Sequence, residues 1–401
     1  MSDASRRPIR TATRVEGITY AVRDVVATAR KAQAAGKDLI YLNIGDPCLF
    51  DFETPPKVRN AIVRAIHDNK TSYSPSEGIP QALEAIRRDA ETRKGIRGIR
   101  DILIGHGASE PIEAVLTALV EPGEGVLVPT PGYPLYTAVL AKLQARAIPY
   151  DLDEACGWQP DPQEIASRID SKTRAIVLIN PNNPTGSIAD RKTLGAILEM
   201  ADRHALVVLS DEIYDRMVLD PVEMVSAASL RDDVPIVTFG GLSKVWLGPG
   251  LRIGWSITSG PEAVVAPLVE AMGKIMRARL CANHPVQWAI APALEGPNEH
   301  ILEVNEKLRR RRDLTAKRLA EIPGWELAAP RAAFYAFPTM NLGKSDEQVV
   351  QELILQQGVV LVHGSGFGQK DGTNHARIVF LPQEDLLDEA YSRIAAYTAG
   401  L

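Results

Sequence analysis

The chain has 401 residues, 45% of them hydrophobic and 24% charged, enough apolar material for large cores in two domains and too much for an intrinsically disordered chain. With 45 Lys and Arg against 50 Asp and Glu, the formal charge of −5 is mild and evenly scattered, which argues against nucleic acid or anionic lipid and for a small-molecule partner. Cys48, Cys156 and Cys281 lie far apart with no C-x-x-C spacing, so neither a disulfide framework nor a cysteine-based metal site is indicated, and a cytoplasmic setting fits.

The opening MSDASRRPIRTATR is polar and basic with no apolar core behind it, and no run approaches the roughly 18 apolar residues of a membrane span. Neither a secretory signal nor an anchor is expected. From about residue 100 to 260, DILIG, EGVLVP, RAIVLIN, ALVVLSDE and PIVTFGG read as strands separated by helical stretches. These runs lack polar alternation, the pattern of parallel strands covered by helices on both sheet faces, and the fold class is α/β. Between the first two, Ser109 to Val120 reads as a helix, with Ile112, Val115, Leu116 and Leu119 at helical spacing and Pro111 in its first turn. Longer helical patterns cover 261–276 and 300–322. The second links to a smaller domain containing ELAAPRAAFYAFP, the helix SDEQVVQELILQQ, GVVLV, ARIVFL and a last helix near 384–398. The expected division is 1–50 as an N-terminal arm packing with the small domain, 51–300 as the large domain and 301–401 as the small one.

Ligands of doubly wound sheets collect beyond the carboxyl ends of the strands, so the loops after these runs carry the functional signal. In GHGAS, Gly107 admits close backbone approach while the amides near Ala108 and Ser109 face an anion from a helix start; alone, this is weak evidence and reads more readily as a Gly-rich tight turn. In NPNNPTG the prolines hold Asn183 in a direction suited to a ring substituent or a carboxylate. Asp211 in SDEIYD ends a buried strand, with Tyr214 three residues later. Such a carboxylate needs a cation or a donor unless it merely caps a helix. The turn at Gly248, Pro249 and Gly250 can bring Lys244 and Arg252 together around something anionic, although exposure is the ordinary fate of both residue types. Taken together, a lysine able to lose its proton, an arginine beside it, an amide-lined helix start and a strand-end Asp with a nearby Tyr are the groups pyridoxal phosphate chemistry requires.

The motifs PSEGIPQALEAI, PTPGYP, NPNNPTG, SDEIYD, SKVWLGPGLRIGW and NHARIVFL, in this order, make the chain resemble the class I/II aminotransferases of fold type I over nearly its whole length. LNIGDP, GLSKVW…GLRIGW and RLCANHPVQ resemble the microbial alanine aminotransferase group within that family. The resemblance implies a large domain with a mostly parallel seven-stranded sheet flanked by helices, a smaller α+β domain, and pyridoxal 5'-phosphate as cofactor. It implies that Lys244 forms the Schiff base, that Arg252, Ser243 and the amides of Gly107, Ala108 and Ser109 hold the phosphate, and that Asp211 keeps the pyridine nitrogen protonated. Tyr214 and Asn183 would bond the ring oxygen, Tyr133 would stack on the ring, and Arg377 with the backbone of Gly45 would take the substrate α-carboxylate. Tyr73 would reach the phosphate of a neighbouring subunit, which makes the expected assembly a homodimer with shared sites.

The reaction implied is ping-pong transfer of an amino group between an L-amino acid and a 2-oxo acid, with L-alanine and 2-oxoglutarate as the expected pair. For a distal carboxylate the candidates are Arg23 and Arg279, each of which reads equally as a structural ion pair; Tyr20 and Tyr335 either narrow the pocket or fill the core. Gly240, His363 and Ala332 depart from the family pattern and put a phosphate contact and the small-domain wall in question. The alternatives are an aminotransferase for aspartate, valine or aromatic amino acids, a carbon–sulfur β-lyase, and a cofactor-binding transcription regulator; for the last, the roughly 50 residues before NIGDP are too few to add a DNA-binding domain. GSGFG lacks dinucleotide spacing, and neither a metal motif nor a phosphate-binding P-loop occurs.

Overall fold

The computed structural model describes residues 9–18 and 21–401, the side chains of 21–24 excepted. Tyr20 lies outside the described residues, and of Arg23 only its place in the helix Ala21–Ala34 is described. In chain order the first strands are β1 (Ile40–Tyr41), β2 (Ile99–His106), β3 (Gly125–Thr130), β4 (Arg146–Asp153), β5 (Gln159–Pro160), β6 (Thr173–Ile179), β7 (Val207–Asp211), β8 (Ile236–Gly241) and β9 (Ile253–Ser259). All but β1 form one sheet in the order β2-β9-β8-β7-β6-β3-β4-β5. Its central pairs, from β8 through β7, β6 and β3 to β4, are parallel. The pairs β2/β9, β9/β8 and β4/β5 are antiparallel. The expected seven strands are therefore present, with the two-residue β5 added at one edge.

The continuous apolar runs have the predicted cause. Along β6, Ile176 and Leu178 enter one core while Ala175, Val177 and Ile179 enter the other, so both faces are buried. Each fully buried aliphatic side chain of this kind contributes about 1.5–3 kcal/mol. DILIG runs in the same direction as the central strands but pairs with none of them, because β9, antiparallel to both, lies between β2 and β8. Two strands escaped the reading. Pro149 and alternating polar residues disguise β4, and the small and hydroxyl-bearing residues of IGWSITS disguise β9.

The helices expected in sequence fall at Ser109–Leu119, Glu262–Ala278, Glu299–Ala320 and Glu384–Ala399. SDEQVVQELILQQ opens on a capping box, in which Ser345 and Gln348 satisfy each other's backbone amides. It runs as an α-helix over Asp346–Glu352 and widens into a π turn at Leu353–Gln357. Strand β1 pairs in parallel with Val359–Val360, joining the N-terminal segment to the C-terminal third of the chain. There, Ala376–Val379 is the middle strand of a small antiparallel sheet, between Tyr335–Ala336 and Val362–His363. No helix among the described residues is long and apolar enough to cross a membrane.

Candidate active site

Loops at the carboxyl ends of β3, β6, β7 and β8 face the small antiparallel sheet across a cavity of about 260 Å³. Its lining includes Gly45, Ala108, Ser109, Tyr133, Asn183, Asp211, Tyr214, Ser243, Lys244, Arg252 and Arg377, residues drawn from seven separate motifs. Gly107 stands immediately behind this wall. Its φ of 70° is left-handed, and a Cβ there would lie 2.4 Å from Arg252 Nη2, so only glycine lets the guanidinium close over the loop. Gly254 on β9 serves the same loop from below, since a Cβ on it would meet the Ala108 amide nitrogen at 2.2 Å.

Lys244 follows β8, and its Nζ donates to the Gly45 carbonyl at 2.7 Å. Burial, reinforced by the Arg377 guanidinium, brings its pKa down to about 8. Asp211, 4% exposed, ends β7. Its Oδ2 accepts from Tyr136 Oη at 3.0 Å and its Oδ1 from the Ile213 amide at 3.3 Å. Burial pushes this carboxyl up to about 6 despite those donors. Arg377, 3% exposed, lies between the rings of Tyr335 and Phe367, at 4.8 and 4.7 Å from their centroids. It donates to the Asn43 carbonyl at 2.6 Å and to Asn183 Oδ1 at 3.4 Å. Tyr214 is buried, with its Oη 2.9 Å from Tyr335 Oη.

This donor set fits pyridoxal phosphate. The helix Ser109–Leu119 starts without a side-chain cap, leaving its first amides to an anion, and the hydroxyls of Ser109 and Ser243 and the Arg252 guanidinium line the same cavity. Asp211 is a buried carboxylate held by two hydrogen-bond donors, the environment that a protonated ring nitrogen would complete.

Comparison with known proteins agrees with that chemistry. The family model for aminotransferase class I and II matches residues 37–394. The chain belongs to the class I and II aminotransferases. It is 35% identical over 402 residues to the glutamate-pyruvate aminotransferase AlaA of Escherichia coli K12, covering 98% of each chain. It is 35% identical to an alanine aminotransferase of Mycobacterium tuberculosis, with 99% of this chain and 94% of that one aligned. The solved alanine aminotransferase of Pyrococcus furiosus superimposes with a TM-score of 0.94 at 38% identity, over 98% of this chain and 100% of that one. The chain is thus an aminotransferase, and its family uses pyridoxal phosphate.

Several other residues of this aminotransferase singled out in the sequence lie outside the cavity. Arg279 does not line the cavity: its Nε meets Glu110 Oε2 at 2.9 Å and its Nη2 the Ile104 carbonyl at 2.6 Å, so the ion-pair reading is the one realised. Tyr73 is 79% exposed and lies outside the cavity of its own chain. Gly240 makes room for an indole, because a Cβ there would lie 2.7 Å from Trp255 Nε1. His363 turns its Nδ1 to Ser365 Oγ at 2.7 Å, and beside Ala332 the left-handed backbone falls on Ala333, φ 59°. Sequence reasoning missed Tyr136 and Phe367. Tyr136, three residues beyond Tyr133, had a signal in PGYPLY; Phe367 had none beyond an unexplained aromatic in GSGFG.

Proposed function

We propose that this aminotransferase is a pyridoxal phosphate-dependent homodimer exchanging the amino group of L-alanine with 2-oxoglutarate, giving pyruvate and L-glutamate. The observation that carries the reading is Lys244, a lysine brought down to about 8, set in one cavity with Asp211 and Arg377. The names of the similar proteins support alanine as the donor, as does a small cavity walled by Tyr133 and Tyr335 and without Arg279.

In this reading Arg252, Ser243, Ser109 and the amides of residues 107–109 hold the phosphate, Tyr133 covers the ring, and Tyr214 and Asn183 meet its oxygen. Bound there, the cofactor supplies a cationic ring that takes up the charge left when an amino acid loses its α-proton. Asp211 keeps that ring nitrogen protonated, fixed in direction by the Tyr136 hydroxyl. Arg377, stiffened by two flanking rings, forks onto the α-carboxylate and so fixes where Cα sits, with the Gly45 backbone closing on the same group. Lys244, neutral in a substantial fraction near pH 8, would take the proton from Cα as base and give it up again as acid. Burial of Lys244 and Asp211 keeps water from competing for that proton. Reversal with a second 2-oxo acid gives ping-pong kinetics. Support for a partner subunit comes from Tyr73 and from the exposed apolar residues Val63, Ile66 and Leu280, which are 66%, 57% and 54% accessible.

Half-reaction spectra against a panel of amino acids test the proposal. Rapid change with alanine and glutamate, reversed by pyruvate and 2-oxoglutarate, is the expected result. Faster reaction with aspartate, valine or aromatic amino acids would reassign the substrate, and release of pyruvate and ammonia without an acceptor would make the protein a β-lyase.

A further inference from the structure

Tyr335 touches more of the site than any role given to it so far explains. On the small sheet it pairs with Val379, which makes Arg377, two residues earlier on that strand, its diagonal neighbour on the same face. Its ring centroid lies 4.8 Å from the Arg377 guanidinium. Its Oη lies 2.9 Å from Tyr214 Oη, the two rings meeting edge to face at 5.7 Å and 85°. A Cβ on Gly45 would come within 2.4 Å of the same Oη, so the glycine is there to admit this hydroxyl. The Gly45 carbonyl in turn holds Lys244. A side chain only 2% exposed thus joins the groups assigned to the α-carboxylate, the ring oxygen and the reacting amine.

We propose that Tyr335 is a positioning residue: its hydroxyl donates to Tyr214 Oη, turning the Tyr214 proton toward the cofactor oxygen, while its ring braces Arg377 for the substrate α-carboxylate. This rests on the function proposed above. Burial raises the Tyr214 hydroxyl well above its ordinary pKa, with Tyr335 adding to the effect, so the pair keeps both protons. Only one proton can lie between two oxygens 2.9 Å apart. With Tyr335 as donor, Tyr214 accepts one bond and gives another, and a chain of this kind strengthens its terminal donor. Hydroxyl and ring therefore have separable tasks.

Tyr335→Phe removes the hydroxyl and keeps the ring; Tyr335→Leu removes both. In reconstituted holoenzyme, Tyr335→Phe is expected to weaken cofactor retention about fivefold and to move the pH midpoint of the visible absorption by about half a unit, with KM for alanine changed less than about twofold. In a Tyr214→Phe background the same substitution is expected to alter retention and midpoint by less than about 1.5-fold and 0.2 unit. Tyr335→Leu is expected to raise KM for alanine and for 2-oxoglutarate about tenfold beyond the Phe variant. Equal effects of Tyr335→Phe with and without the Tyr214 hydroxyl would overturn the proposal, as would a Leu variant with the KM of Tyr335→Phe. A wild-type protein that binds no cofactor would instead remove the function on which the inference rests.

Discussion

Lys94 and Lys244 both have their amines withdrawn from water, and they have opposite chemistry. Lys94, its side chain 8% exposed, places Nζ 2.7 Å from Glu212 Oε2 and 2.8 Å from Asp215 Oδ2. Burial pulls its pKa down, but Asp215 and Glu212 outweigh that and leave it raised. Lys244 faces the Gly45 carbonyl, with Arg377 and Arg252 adding like charge to the cost of burial, and falls to about 8. Loss of water alone does not make a reactive amine; the sign of the neighbouring charge decides. The two are also linked, because Glu212 and Asp215 belong to the same SDEIYD loop as Asp211 and Tyr214. The inert cluster anchors the loop that the reactive cavity uses.

Breaking the reactive member gives the largest effect. Lys244→Ala is expected to lower turnover by roughly 10⁵-fold or more in a coupled pyruvate assay while the chain stays folded. Lys94→Met leaves two carboxylates buried with one cation fewer, and urea unfolding is expected to show a loss of about 3–5 kcal/mol. At low temperature that variant keeps Lys244 and hence its chemistry; loss of all turnover in a folded Lys94→Met protein would contradict the division of labour. The smallest effect sharpens the comparison from the acidic side. Asp211 is raised to about 6, so in cofactor-free protein its contribution to stability is full below the ordinary Asp pKa of about 4 and is lost as pH rises through 6. Cofactor-free Asp211→Asn is therefore expected to be more stable than wild type above pH 6, by at most about 3 kcal/mol, and to differ little below pH 4. Equal stabilities at pH 8 would show that the cavity imposes no such strain.

The same contrast explains what could be read from the residues. That Lys244, Asp211, Asn183 and Arg377 share one cavity was legible because each sits in a short motif at a strand end or within a strand, where local chemistry and spacing carry the signal. Lys94 was not: in RKGIRGIR it looks like one member of a solvated charge run, and its partners lie 118 and more residues away. Tyr136 and Asp211 are likewise joined only by the fold, across 75 residues. Arg279 read as either ligand or ion pair because an exposed and a paired arginine look alike in sequence; its partner Glu110, on the helix that follows the phosphate loop, is brought to it only by the fold. The fold was legible where strands are buried on both faces and obscure where, as in β4, Pro149 and exposed polar residues break the apolar run.

The most direct test is to reconstitute the protein with pyridoxal phosphate, reduce it with borohydride and map the labelled peptide. A pyridoxyl group on Lys244 alone is the predicted result. A label on Lys94 or another lysine, or no label at all, would contradict the claim that the amine set among Arg377, Arg252 and the Gly45 carbonyl is the reactive one.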